Sequence, residues 1–231
     1  GGEARLFYYA PVNPGVVAPA ADRPPLIVIS HGGPTSAATT KLHLVIQYWT
    51  TRGFAVADVD YRGSTGYGRA FRERLNGEWG VADVADCVKA ARHLAEVGLA
   101  DPARLIMRGS SAGGFTTLAA LVQRPGVFSA AACYYGISDL EVLARDTHKF
   151  ESRYTDGLIA PWPARADLYR ARSPIHAVDR LSCPLILFHG REDRAVPVNQ
   201  SERMAEVLRR KGLPVELHVF DGEQHGFRRH D

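Results

Sequence analysis

The stretch from Arg104 to Val122 constrains this chain more than any other. It reads as a short apolar strand, then a turn of Gly and Ser, then an Ala/Leu-rich helix beginning at Ala112. Inside it, Gly109-Ser-Ser-Ala-Gly113 has G-x-S-x-G spacing with Ser111 in the middle position. A serine on so sharp a strand-to-helix turn is held in a strained backbone conformation that pushes its hydroxyl out over the sheet edge. Glycines two residues to each side remove the Cβ atoms that would clash where strand and helix approach closely. The helix start adds unpaired N–H groups and a partial positive charge beside the hydroxyl, where an oxyanion would be stabilised. The pentapeptide alone also occurs as an ordinary small-residue turn. Its chemical reading depends on a strand before it, a helix after it and partners downstream.

The 231 residues are 45% hydrophobic and 23% charged, an ordinary globular balance with room for a substantial core and no sign of a second domain. A net charge of +3 with scattered basic residues does not indicate a nucleic-acid partner. No apolar run approaches the roughly 20 residues needed to span a bilayer. Cys87, Cys133 and Cys183 make an odd count without C-x-x-C spacing, against both a disulfide framework and a zinc site. Cys133 and Cys183 read as packing residues in apolar strands. The chain begins Gly1-Gly2, without methionine or signal peptide, and reads as a piece of a longer protein. Compartment and oligomeric state are not legible; the cytoplasm is the favoured compartment.

In order, Arg5 to Ala10 reads as an edge strand, followed by a Pro/Gly/Ala-rich loop to Pro25. Leu26-Ile-Val-Ile-Ser30 has the β-branched run of a strand buried on both faces, and it leads into His31-Gly-Gly-Pro34. Lys41 to Arg52 reads as a helix with Leu42, Val45, Ile46 and Trp49 on one face, stopped by Gly53. Phe54 to Asp60 is the next strand. Val81 to Val97 is a helix with Val84, Val88, Ala91 and Leu94 on one side, and Asp83 and Asp86 suit the dipole of its first turns. Phe128 to Tyr135 is a further strand. Gly136 to Arg180 lacks a period and reads as a pocket-shaping insertion. Pro184 to His189 is a strand, Asn199 to Lys211 a helix with Met204, Val207 and Leu208 inward, and Val215 to Phe220 the last strand. The alternation predicts a mostly parallel, doubly wound α/β sheet with helices on both faces.

On such a sheet, functional groups belong in loops at the carboxyl ends of strands. An activated serine needs a histidine in reach, and the histidine a carboxylate, in the chain order serine, acid, histidine. Of nine histidines, six follow Ser111: His148, His176, His189, His218, His225 and His230. His148 and His176 fall in the insertion, His218 within the last strand, and His189 at a strand end suited to a structural role. His225 alone sits just past the last strand, in Gly222-Glu-Gln-His-Gly-Phe227. For the acid, Glu192 and Asp193 follow the penultimate strand and Asp139 follows the one before it, so all three stay open. An oxyanion hole would use the N–H of Ala112 and one from His31-Gly-Gly-Pro34, with Gly33 the expected donor. No metal-ligand cluster competes, and Gly63-Ser-Thr-Gly66 lacks the lysine of a phosphate loop.

Together these stretches resemble the catalytic domain of the prolyl oligopeptidase family of serine peptidases, nearest its acylaminoacyl-peptidase and dipeptidyl-peptidase-like branch. The resemblance rests on His31-Gly-Gly-Pro34, Asp60-Tyr-Arg-Gly-Ser-Thr-Gly-Tyr-Gly68, Trp79-Gly80, Gly109-Ser-Ser-Ala-Gly-Gly114, His189-Gly-x-x-Asp193-x-x-Val196-Pro197 and Gly222-Glu-Gln-His-Gly-Phe227. They run in the family's order over almost the whole chain. The resemblance implies an α/β-hydrolase fold with Ser111 as nucleophile, Asp193 as acid and His225 as base. It also implies Ile137, Leu140, Phe150 and Val196 around the residue before the scissile bond, a peptide substrate and no cofactor or metal. The family usually adds a β-propeller before this domain and a terminal helix after the histidine loop. Residues 1–231 therefore read as an incomplete catalytic domain whose partner is a propeller of the same protein. Several relatives carry an oxyanion-donating tyrosine where this chain has His31. A carboxylesterase with the same triad is the alternative activity, and a non-catalytic binding module of this fold the alternative class.

Overall fold

All seven strands expected from the apolar runs are present in the computed structural model, which describes residues 3–146 and 153–229. They are β1 (Arg5–Tyr9), β2 (Leu26–Ser30), β3 (Ala55–Asp60), β4 (Leu105–Ser110), β5 (Ala130–Tyr134), β6 (Leu185–Gly190) and β7 (Val215–Phe220). They form one sheet in the order β1-β3-β2-β4-β5-β6-β7. Only β1 runs antiparallel, pairing with β3 at the edge; the other neighbours are parallel. This is the α/β-hydrolase arrangement, and it puts the carboxyl ends of β2, β4, β6 and β7 along one rim.

Alternation along the strands divides the core into two faces. Leu26, Val28, Ala55, Ala57, Leu105, Met107, Leu185 and Leu187 join the larger cluster, while Ile27 and Val56 face a smaller one. The larger cluster takes its cover from helices α3 (Ala82–Glu96), α4 (Ala112–Gln123) and α8 (Asn199–Arg210); the smaller lies under α1 (Leu44–Thr50). Helix α4 is buried from Ala112 to Val122, which explains why that stretch carries Ala, Gly and Leu and almost nothing polar. In α8 only Met204, Ala205 and Leu208 of the apolar residues are fully buried, with Val207 half-buried beside them.

Three local expectations change. Helix α1 is shorter than Lys41 to Arg52, because the backbone is still extended at His43 (φ −112°, ψ 106°). Leu42 therefore precedes the helix and is exposed, as is Val45, and Ile46 alone of the expected apolar face is fully buried. Asp83 and Asp86 do more than suit a dipole, since both are buried. Asp83 accepts the Gly80 N–H at 2.7 Å and the Thr116 hydroxyl at 2.5 Å, tying α3 to α4, while burial lifts its carboxyl to about 6. Asp86 pairs with Arg62 at 2.8 Å. Cys183 is buried as expected but precedes β6 instead of lying in it.

The insertion is helical in pieces. Helix α5 (Leu140–Asp146), α6 (Tyr154–Leu158) and α7 (Ala166–Arg172) are followed by a 3₁₀ segment at Pro174–Arg180. Helix α2 (Arg69–Arg72) is a single turn after β3. Each of these pieces is too short to show a helical period, so the sequence reads as irregular there.

Candidate active site

The turn between β4 and α4 has the strain its sequence predicts. Ser111 sits at φ 54°, ψ −121°, a region L-residues rarely enter. A Cβ at Gly109 would overlap the Gly113 carbonyl, and one at Gly113 would overlap the Ser30 carbonyl. The crossing of strand and helix over β2 is therefore open to glycine alone at both positions.

His225, in the loop after β7, lies with Nε2 2.8 Å from Ser111 Oγ and Nδ1 2.7 Å from Asp193 Oδ2. A carboxylate only accepts, so Nδ1 carries the hydrogen and Nε2 is free to take the serine proton. Asp193, in the loop after β6, is buried, and its Oδ1 accepts the N–H groups of Ala195 and Val196 at 2.9 Å each. Burial pushes its carboxyl up, but the donors from His189, His225 and Val196 outweigh that and hold it well below the usual carboxylate range.

The other candidates fall away by position. His189 is fully buried, with Nε2 2.8 Å from the Val196 carbonyl and 3.4 Å from Asp193, and Nδ1 2.7 Å from the Ser201 hydroxyl. It braces the Asp193 loop. Asp139 caps α5, accepting the N–H groups of Glu141 and Val142 at 3.0 and 3.2 Å, and pairs with Arg203 at 3.1 Å. Glu192 is exposed beside Asp193. His218 is an exposed residue of β7. His176 lies 3.5 Å from Glu141, and His148 and His230 lie outside the described residues. Asp139, Glu141 and His176 do bring three ligand atoms within 4.8 Å, a grouping the sequence analysis does not anticipate. Both acids already face arginines, Arg203 and Arg170.

A cavity of about 100 Å³ opens beside the Ser111 hydroxyl. Gly33 and Ala112 both line it, and as the first residue of α4 Ala112 has an N–H with no intrahelical acceptor. Ile137 and Val196 line it as expected, but Leu140 does not. Leu140 is fully buried at the start of α5, and Leu143, almost one turn further along, borders the cavity instead. Phe150 lies outside the described residues. Trp79, Tyr154 and Thr155 complete the wall, and the Tyr154 hydroxyl meets the Thr35 hydroxyl at 2.6 Å. Trp79 was visible as part of Trp79-Gly80, without a role; Tyr154 and Thr155 carried no local signal.

His31 takes a role that no motif announces. Its Nδ1 is 2.8 Å from the Gly32 carbonyl, an acceptor, so Nδ1 carries the hydrogen. Its Nε2 then accepts the Ser64 hydroxyl at 2.7 Å, and its ring stacks on Tyr61 at 4.2 Å. Burial lowers its pKa, against the opposing effects of the Gly32 contact and Asp60. In a trans peptide the C=O and N–H point in opposite directions. Holding the Gly32 carbonyl toward the imidazole therefore turns the Gly33 N–H away from it, and Gly33 borders the cavity. Both ring nitrogens are engaged, and the side chain does not border the cavity as the tyrosine of several relatives is expected to do.

The sequence model of the prolyl oligopeptidase family matches residues 40–231. The acylamino-acid-releasing enzyme of Arabidopsis thaliana is 32% identical over 213 residues, covering 87% of this chain and 27% of the relative. Dipeptidyl aminopeptidase BIII of Pseudoxanthomonas mexicana is 30% identical over 215 residues, covering 90% of this chain and 31% of the relative. A puromycin-hydrolyzing peptidase of Mycobacterium tuberculosis superposes with a TM-score of 0.95 at 50% identity, over 97% of this chain and 34% of that one. The chain thus spans about a third of the length of the proteins it matches.

Proposed function

Because this chain belongs to the prolyl oligopeptidase family, we propose that its full-length protein is a serine peptidase that hydrolyses short or acylated peptides through an acyl-enzyme. The observation that carries this reading is the hydrogen-bonded run from Asp193 through His225 to the strained Ser111, beside a cavity bordered by Gly33 and Ala112. In the proposed first step, Ser111 Oγ attacks the amide carbonyl while His225 Nε2 takes its proton. Asp193 stabilises the resulting imidazolium, and the N–H groups of Gly33 and Ala112 receive the oxyanion. His225 then protonates the leaving amine, which departs as the acyl-Ser111 ester forms. Water, deprotonated by the same histidine, attacks that ester and frees Ser111.

Ile137, Leu143 and Val196 give the cavity apolar walls suited to an uncharged side chain before the cut. The likeness to a puromycin-hydrolyzing peptidase adds puromycin to the substrates to be tried. On the family resemblance, a β-propeller of the same protein is the proposed partner of this domain.

The test is labelling of the full-length protein with a fluorophosphonate, followed by kcat/KM on matched anilide and ester substrates with apolar residues before the cut. Labelling at Ser111, its loss in Ser111→Ala but not in Ser110→Ala, and anilide cleavage are expected. Brisk ester turnover without anilide cleavage makes the protein an esterase, and absence of labelling makes it a binding module.

A further inference from the structure

Among the described residues, two that are not glycine have a positive φ. One is Ser111; the other is Tyr135, at φ 39°. Glycine adopts this conformation freely, whereas a tyrosine is held in it only by its surroundings. The surroundings are evident. Tyr135 N–H donates to the Phe188 carbonyl at 2.7 Å, and a Cβ at the next residue, Gly136, would overlap Cys133 Sγ. The chain leaving β5 thus passes hard against the first turn of α4, with no room for another path.

This turn sends the Tyr135 side chain back across the site. The Ser111 N–H donates to the carbonyl of Tyr134, the residue before Tyr135, at 3.0 Å. The Tyr135 ring lies 4.7 Å from the His225 ring, tilted by 58°, and meets Phe227 edge-on at 5.4 Å. The Tyr134–Tyr135 pair therefore meets both the turn that carries Ser111, through its backbone, and the loop that carries His225, through the Tyr135 ring, two segments 114 residues apart. The His225 side chain is 29% exposed, so protein packs around only part of it. Tyr135 does not border the cavity.

We infer that Tyr135 is a positioning residue that holds the His225 imidazole in line with Ser111 Oγ. The inference rests on the triad reading above. During the proposed cycle the imidazole breaks its bond to Ser111 and must present Nε2 to a leaving group a short distance away. A ring packed against its face limits how far it can swing while that bond is absent. The bond from the Ser111 N–H to the Tyr134 carbonyl ties this wedge to the nucleophile's own turn, so serine and histidine are located from one fixed part.

The variants are Tyr135→Phe and Tyr135→Leu in the full-length protein, read by kcat and KM separately and by the fluorophosphonate labelling rate. Tyr135→Leu removes the ring, and kcat and the labelling rate are expected to fall about 10- to 100-fold, as for a small misplacement of a reacting group. KM should stay near wild type. Tyr135→Phe keeps the ring against His225 and is expected to stay within about threefold of wild type. The downfield proton resonance between Asp193 and His225 should persist in Tyr135→Phe and broaden in Tyr135→Leu. That resonance reads the imidazole even if the wild-type serine proves unreactive, an outcome that would overturn the triad reading separately. Equal labelling and an unchanged resonance in Tyr135→Leu would overturn the inference. If Tyr135→Leu does not fold, Tyr135→Asn, which also lacks the ring and tolerates the left-handed backbone, replaces it with the same losses expected, and a KM effect without a kcat effect overturns the inference equally.

Discussion

The most informative single change is His31→Ala. His31 holds the Gly32 carbonyl at 2.8 Å and the Ser64 hydroxyl at 2.7 Å while stacking on Tyr61. The Tyr61 hydroxyl, 3.2 Å from the carbonyls of both His31 and Pro34, braces the same loop from beneath. Truncating His31 frees the Gly32–Gly33 peptide to rotate, and glycine imposes little backbone restraint of its own. Of the two proposed oxyanion donors, Ala112 is held by α4 and survives; Gly33 is lost. Removal of one such donor typically costs about 10²- to 10³-fold in turnover, or about 3 to 4 kcal/mol. Because the interaction strengthens only in the transition state, kcat should carry the loss and KM should change little. His31→Asn can place an N–H donor near the Nδ1 position and should recover part of the rate. The assay is steady-state kinetics on a peptide anilide, with the thermal midpoint measured in parallel to exclude unfolding. A folded His31→Ala protein that keeps more than about a tenth of wild-type kcat would refute the peptide-orientation argument.

Three further outcomes follow from the site and the core. Asp193→Asn should lower turnover by about 10⁴-fold through the wrong imidazole tautomer. Asp139→Asn should instead lower the thermal midpoint with turnover retained, because Asp139 caps α5 and pairs with Arg203; the reverse pattern would exchange their roles. Asp58 is buried and raised to about 6, by desolvation first and then by Asp60. Its folded form holds a proton more tightly than the unfolded chain, so its contribution turns unfavourable as pH rises from about 4 to about 6. Asp193 has the opposite sign, stabilising above the ordinary carboxylate value of about 4 and losing that contribution as pH falls below it. Asp83 is raised into the same window and acts with the same sign as Asp58, so Asp58→Asn should lessen the fall in stability between pH 4 and 6 and leave the acid limb below 4 in place, as read by denaturant unfolding across pH; an unchanged slope between 4 and 6 would remove Asp58 from the account.

The elements legible in the sequence are those whose signal is local. The apolar runs of β2, β4 and β6 need only their own residues to declare a strand. Gly109 and Gly113 declare a tight crossing because only glycine tolerates it, and the structure shows backbone where their Cβ atoms would be. Placement in loops at the carboxyl ends of strands singles out Ser111 and His225 but leaves Glu192, Asp193 and Asp139 open as the acid; Asp193 is what the family resemblance implies. The short pieces were harder to read. Helix α1 begins after Leu42 because the chain is still extended at His43, a boundary that hydrophobic spacing alone does not mark.

What only the tertiary structure decided is direction across distance. Leu140 and Leu143 are both apolar residues of α5, and the docking of that helix on the sheet puts one in the core and the other on the cavity. His31 could have pointed at the oxyanion; Ser64, 33 residues away, and the neighbouring Gly32 carbonyl turn it into a brace for the Gly32–Gly33 peptide. Tyr135 reads in sequence as the end of an apolar strand, yet its backbone turns left-handed and its ring meets a histidine 90 residues later. Periodicity and turn chemistry depend on neighbours along the chain, so a sequence displays them directly. The aim of a side chain depends on which distant segments pack beside it, and those are joined only once the sheet has formed.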